Sequence, residues 1–95
     1  MAVYVDRGAI PYRGMKMCHM LADTEQELHR MAERLGIKRA WFQDHAMPHY
    51  DICQAKRRLA LSFGALPIGR REVGALIKRW RQRGKARERS THARE

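Results

Sequence analysis

The stretch TEQELHRMAERLG, residues 24–36, decides the fold class. Thr24 and Glu27 have the spacing of a capping box, in which side chains satisfy the amides left free at a helix start. Leu28, Met31, Ala32 and Leu35 follow at i, i+3, i+4 and i+7, the single apolar stripe of a helix with one buried face. Gly36 supplies the left-handed residue that ends it. A helix over 24–35 is therefore predicted, and the segments on either side read as extended. Upstream, Met15 to Ala22 is apolar and unbroken; periodicity alone does not separate strand from helix there, and the extended reading is taken. Earlier still, residues 2–6 alternate as a strand, with Val3 and Val5 on one face and Ala2 and Tyr4 on the other, before Gly8, Pro11 and Gly14 mark a loop. Downstream, residues 37–42 read as a short strand and 43–49, with Pro48, as a polar loop.

A second helix is predicted over 51–63, capped by Asp51, lined by Ile52, Ala55, Leu59 and Phe63, and ended by Gly64. Residues 65–68 fit a short strand. A third helix is predicted over 70–83, where Val73, Leu76, Ile77 and Trp80 again form a stripe. Beyond Gly84 no apolar face continues, so residues 84–95 read as a disordered basic tail on a single domain spanning 1–83. Strands alternating with helices predict a small α/β domain of two or three layers, with a partly parallel sheet, two or three helices, and a basic C-terminal helix and tail. In such a sheet, loops at the carboxyl ends of strands converge; Asp6, the region near Asp23 and the loop 43–50 are expected to share one edge, where a site would lie.

The chain has 95 residues, 44% of them hydrophobic and 32% charged, and a mean hydropathy of −0.66. That admits one compact core and no second domain. No apolar run approaches the roughly 20 residues of a membrane-spanning helix, and the first residues carry an early acid instead of a basic start with an apolar core, so the chain is expected in the cytoplasm. Cys18 and Cys53 lie far apart without CxxC spacing and read as free thiols. The net charge is +10. Residues 70–95 hold ten basic residues against three acidic ones, a net +7, and the first 69 carry the remaining +3. This asymmetry is the footprint of phosphate binding, in which each neutralised phosphate releases counterions.

Four quoted segments in order, VYVD at 3–6, M-x-H-M-x-A-D-T at 17–24 leading into E-L-H at 27–29, W-F-Q at 41–43 and H-Y-D-I at 49–52, resemble the family catalogued as domain of unknown function 4031 (DUF4031). The resemblance covers roughly residues 2–72 and lies in the succession of motifs more than in any one of them. It implies a compact bacterial or phage domain and no established activity. Members often read VYVDD at the start; Arg7 stands here in place of the second acid, so a role requiring paired carboxylates is not carried over. The basic tail reads as an addition to the common domain.

The residues that could carry chemistry are His19, His49 and Asp51 as catalytic candidates, with Asp6, Asp23 and His49 as candidate metal ligands and His45 in the same loop as His49. Imidazole and carboxylate together bind a divalent metal or act as a base and its orienting partner. No pair has a diagnostic spacing such as HExxH, and capping of the following helix by His49 and Asp51 is the structural alternative. His29 borders the apolar stripe, is read as a packed or surface histidine and not a ligand, and is left out of the site. Trp41, Phe42 and Tyr50 have the chemistry to stack on bases, but aromatics in a strand and at a helix start pack inside, and the core reading is taken. Met15, Met17 and Met20 read as flexible packing. No glycine-rich phosphate loop is present and no cofactor is predicted, although the His/Asp set has the chemistry to hold a divalent metal.

The basic residues Lys56, Arg57 and Arg58, with Lys78, Arg79, Arg81 and Arg83 and the tail residues Lys85, Arg87 and Arg89, are the candidate nucleic-acid contacts. A helix-turn-helix reading of 51–83 is opposed by the connector 64–69, which is longer than the usual turn and contains Pro67. Without a row of base-reading Asn or Gln, the contacts would go mainly to phosphates. The leading expectation is thus a nucleic-acid-associated binding protein. The alternatives are a small phosphate-ester hydrolase or nuclease built on His19, His49 and Asp51, and a phage-type modulator docking on an acidic protein partner.

Overall fold

The computed structural model describes residues 2–44 and 47–94, with side chains as far as Arg83. His45 and the side chains of the proposed tail at 84–95, including Lys85, Arg87 and Arg89, lie outside the described residues. Strands β1 (Val3–Val5), β2 (Ile10–Tyr12) and β3 (Met15–Ala22) lead into helix α1 (Glu25–Arg34), a 3-10 turn at Arg39–Trp41, strand β4 (Tyr50–Cys53), helix α2 (Gln54–Ser62), strand β5 (Leu66–Pro67) and helix α3 (Arg70–Arg94). The fold is α/β, with a five-stranded mixed sheet that is parallel only where β1 meets β5.

Strand β3 is the spine of the sheet. Met17 pairs with Ile10 of β2 and Cys53 of β4, and Met20 pairs with Val5 of β1 and Tyr50 of β4. Each pairing occupies one edge, so β4 lies along one side of β3 and β1 and β2 lie end to end along the other. Between Val5 and Ile10 there are four residues where β3 has only Cys18 and His19, so the β1–β2 strand carries a bulge at 6–9. The β2–β3 hairpin closes through Arg13 (φ 48°) and Gly14 (φ 78°), the φ signs of a type I′ turn, which matches the twist of the flanking strands.

The two faces of the sheet are covered by different helices. Val3, Val5, Cys18, Met20, Ala22, Tyr50 and Ile52 form the main core with Leu28, Met31, Ala32 and Leu35 of α1 and Ala60 of α2. On the other face Leu21, Met47 and Ile68 pack with Leu76 of α3, joined by Tyr4, Val73, Ile77 and Trp80. Trp80 ties this layer down by donating its indole N–H to the Ala22 carbonyl at 3.1 Å. Helix α1 ends as its sequence predicts: Gly36 (φ 74°) donates to Glu33 O and Ile37 to Ala32 O, the paired bonds of a Schellman motif. At its start Thr24 Oγ1 accepts from the Glu27 N–H and donates to the Glu27 carboxylate.

Three local expectations are corrected. Residues 10–12 form an edge strand where a loop is predicted, because Pro11 lies where a missing N–H costs least. Residues 37–42 hold a 3-10 turn in place of a strand. Residues 50–53 are strand, so Asp51 is a strand residue and α2 starts at Gln54 without a side-chain cap. The predicted strand at 65–68 forms at Leu66–Pro67, which places a sheet strand between α2 and α3 and removes the helix-turn-helix reading.

Cys18 and Cys53 are both free. Cys18 is fully buried, and burial, aided by the Asp6 charge, pushes its thiol up to about 12. Cys53 is half-buried. At mildly alkaline pH a chromogenic disulfide reagent is therefore expected to titrate one thiol quickly in the native chain and the second only after denaturation. Equal rates for both would contradict this packing.

Candidate functional site

The alternation of side chains along a strand places His19 on the same sheet face as Leu21 and Tyr4, the face that α3 covers only in part. The register then makes His19 the direct partner of Asp51. His49, two residues before Asp51 on the same run, lies on that face too, held by paired backbone bonds with Gln43 at 3.0 and 3.1 Å. Asp6, at the start of the bulge, faces His19 from the opposite edge, and its N–H donates to the His19 carbonyl at 3.0 Å. Four residues from three separated stretches of sequence thus meet because three adjacent chain segments share one face.

His19 Nε2 is 3.7 Å and His49 Nε2 is 3.5 Å from Asp51 Oδ1, with the imidazoles edge to face at 5.2 Å between centroids. Each imidazole is oriented from behind. His19 Nδ1 lies 2.7 Å from Asp6 Oδ2, and His49 Nδ1 lies 2.8 Å from the Met47 carbonyl oxygen. A carbonyl or an ionised carboxylate only accepts, so both Nδ1 atoms carry a proton, and in its neutral form each ring presents an Nε2 lone pair toward Asp51. The other Asp51 oxygen, Oδ2, accepts from Gln43 Nε2 at 2.6 Å. Oδ1 is buried and has no hydrogen-bond donor among the described residues. With neutral imidazoles three electron-rich atoms converge on one point, an arrangement that a bound cation or a proton on one ring resolves.

The geometry fits a metal. His19, His49 and Asp51 each offer a ligand atom, all within 4.8 Å of one another. Metal–ligand bonds of about 2.0–2.2 Å in a tetrahedral site place the ligand atoms about 3.4 Å apart, close to the two shorter separations. Asp6 and the Met47 carbonyl supply the outer hydrogen bonds that fix the tautomer of metal-binding histidines. Burial pushes the Asp6 carboxyl up, but the His19 N–H, the His19 ring and the Gly8 N–H all bond to it and hold it below the ordinary carboxylate range. Asp6 also has a structural role: its Oδ1 accepts from the His19 and Gly8 N–H groups at 2.9 and 3.0 Å, replacing a ladder carbonyl lost to the bulge.

Asp23 lies elsewhere. Four residues beyond His19, it is roughly 13 Å farther along the strand. There it accepts from the Ala2 N–H and the Tyr4 hydroxyl and pairs with Arg79 at 3.5 Å. The expectation that Asp6, Asp23 and the loop 43–50 share one edge thus gives way to a site on a sheet face, formed by Asp6 and His49 without Asp23. His29 is buried in the main core with Nδ1 2.8 Å from the Tyr50 hydroxyl and Nε2 3.1 Å from Glu25, the packed one of the two readings its position allows.

The basic residues divide into internal and free-standing groups. Lys56 donates to the Leu35 carbonyl at the end of α1, and Arg57 Nε donates to the Asp6 carbonyl at 2.9 Å. Arg83 donates to the Asp23 carbonyl and lies over the Trp80 ring. Arg58, Lys78 and Arg81 are exposed. Arg7 and Arg70, absent from the sequence-derived contacts, line a cleft of about 850 Å³ with Asp6 and His19. Only the register of β1 against β3 brings Arg7 there. Trp41, read as core, is exposed; its neighbour Phe42 is the one that packs against His29 and Tyr50.

Among the described residues no helix is long and apolar enough to cross a membrane. The sequence model of the family described as "Protein of unknown function (DUF4031)" matches residues 3–80. No curated protein and no solved structure matches the chain.

Proposed function

The chain belongs to the DUF4031 family, and from the geometry of its His/Asp centre we propose that it is a divalent-metal-dependent phosphodiesterase acting on nucleic acid. The observation that carries this reading is the convergence of His19 Nε2, His49 Nε2 and Asp51 Oδ1, each imidazole oriented from its Nδ1 side. Two histidines and a carboxylate suit zinc or another first-row divalent ion, and three protein ligands leave a coordination position open. An ion held there supplies Lewis acidity toward a phosphoryl oxygen and lowers the pKa of a coordinated water. Arg7 and Arg70, on the cleft that reaches His19, are placed to neutralise phosphate charge during attack. The net +7 of residues 70–95 supports a polyanionic substrate, which the exposed basic residues of that segment would help to attract.

The test is metal content followed by turnover. The purified full chain is expected to hold about one equivalent of zinc or manganese by mass spectrometry, and to cut fluorescein-labelled single-stranded RNA or DNA only with the ion present. A chain that neither retains an ion nor responds to added zinc, manganese or magnesium is not this enzyme. Steeply salt-dependent binding to intact oligonucleotide without cutting would return the protein to the binding-module reading.

A further inference from the structure

Two surfaces flank the His/Asp centre, and their chemistry differs. On the His19 side is the cationic cleft of Arg7 and Arg70. On the Asp51 side Ile10, Pro11 and Tyr12 of β2 and Trp41 of the 3-10 turn line a groove of about 210 Å³ together with Met17, Gln43 and Asp51. Of its lining, Trp41 is 51% exposed, Ile10 50% and Tyr12 43%. Single exposed apolar residues are ordinary on a small protein; several gathered around one groove are not. The exposure of Trp41 follows from the local turn, which sends Phe42 into the core and leaves the adjacent indole outside.

We propose that this groove holds one unpaired nucleobase of the substrate, stacked on Trp41, so that the protein acts on single-stranded nucleic acid; the proposal rests on the phosphodiesterase reading above. The occupant follows from what the groove adjoins. A base is tethered to its phosphate by a single sugar, and Asp51 is at once a wall of the groove and a member of the centre that would take the phosphate. Most of the lining is aromatic and aliphatic, as a base face requires, and its polar members are Asp51 and the Gln43 amide. One Gln43 N–H is given to Asp51, and an amide has a second N–H and a carbonyl for a base edge. Near the groove Arg13 lies 5.4 Å from the Tyr12 ring centroid, a cation suited to a neighbouring phosphate. A base within a duplex has both faces stacked and its edge paired, so only an unpaired base enters such a groove.

Binding is measured separately from cutting, with the full chain in chelator, by fluorescence anisotropy of a short labelled oligothymidylate and an abasic strand of equal length. The oligothymidylate is expected to bind about tenfold more tightly than the abasic strand. Trp41→Ala is expected to erase that difference while leaving abasic binding and the thermal midpoint unchanged, and Trp41→Phe to keep most of it. Equal affinity of wild type for the two strands overturns the proposal, as does an oligothymidylate affinity that Trp41→Ala does not change, or a loss shared equally by both strands. A base preference in a chain that neither holds metal nor cuts would leave the groove standing and remove the hydrolytic reading. Metal-dependent cutting without a base preference would remove the groove alone.

Discussion

Asp51→Ala is expected to abolish stoichiometric metal binding and to lower oligonucleotide cleavage by roughly a thousandfold, about 4 kcal/mol of transition-state stabilisation. The substitution removes the carboxylate of the three-atom set and leaves the two imidazoles. It also has a second, opposite consequence. In the metal-free chain Asp51 Oδ1 is buried without a hydrogen bond among the described residues, and such an oxygen carries an uncompensated desolvation penalty. Deleting it relieves that penalty, so the variant in chelator should melt at or above the wild-type temperature. Added zinc should raise the midpoint of wild type, as any ligand that binds only the folded state does, and leave the variant where it was. The paired melts distinguish a site that holds strain for function from a polar cluster that merely holds the sheet together. An Asp51→Ala chain that binds zinc like wild type, or that unfolds well below it in chelator, would remove Asp51 from the centre.

Asp6→Asn is expected to weaken metal affinity by about 10–100-fold although Asp6 is not a ligand. Asp6 is a positioning residue: its Oδ2 accepts from His19 Nδ1 at 2.7 Å while its Oδ1 accepts from two backbone N–H groups. An amide has one oxygen for these two tasks. With that oxygen on the backbone, its NH₂ faces Nδ1, drives the ring to the tautomer protonated at Nε2, and blocks the ligand atom. With the oxygen on Nδ1, the NH₂ meets the His19 and Gly8 N–H groups, donor against donor. Nitrogen chemical shifts of the His19 ring report which arrangement wins, and a purely structural Asp6 would not move them selectively. Unchanged ring shifts together with wild-type metal affinity would reduce Asp6 to a bulge residue.

The sequence-level reading succeeded where one segment carried its own complete signal. Helix α1 has its cap, stripe and terminating glycine within thirteen consecutive residues; the mostly apolar run of β3 marked an element, and its pairing with β1, β2 and β4 makes that element a strand. It failed where context chose between local options. Ile52 suits a helix stripe and an inward strand position equally, and Asp51 suits an N-cap and an outward strand position; pairing with β3 decides both. Pro11 argues against a strand until the strand is known to lie at an edge. His19, His49 and Asp51 were legible as reactive types, but their convergence was not, because it depends on the register of β4 against β3 and no local pattern encodes register. Trp41 shows the same limit: neighbouring aromatics at 41 and 42 differ in fate only through the turn that separates them.

The bulge at 6–9 and the long central strand also bear on how such a domain can diverge. The reactive atoms are tied to the sheet register, where a one-residue slip sends a side chain to the opposite face. The groove walls come from a hairpin and a short turn, which tolerate changes of length and composition. On the proposed reading, chemistry and selectivity would thereby be carried by parts of a very small chain that meet only at Gln43 and Asp51: one would admit substitution only residue for residue, whereas the hairpin and turn could be redrawn around it. Relatives built on this plan can accordingly share a reactive centre while differing in what they admit to it.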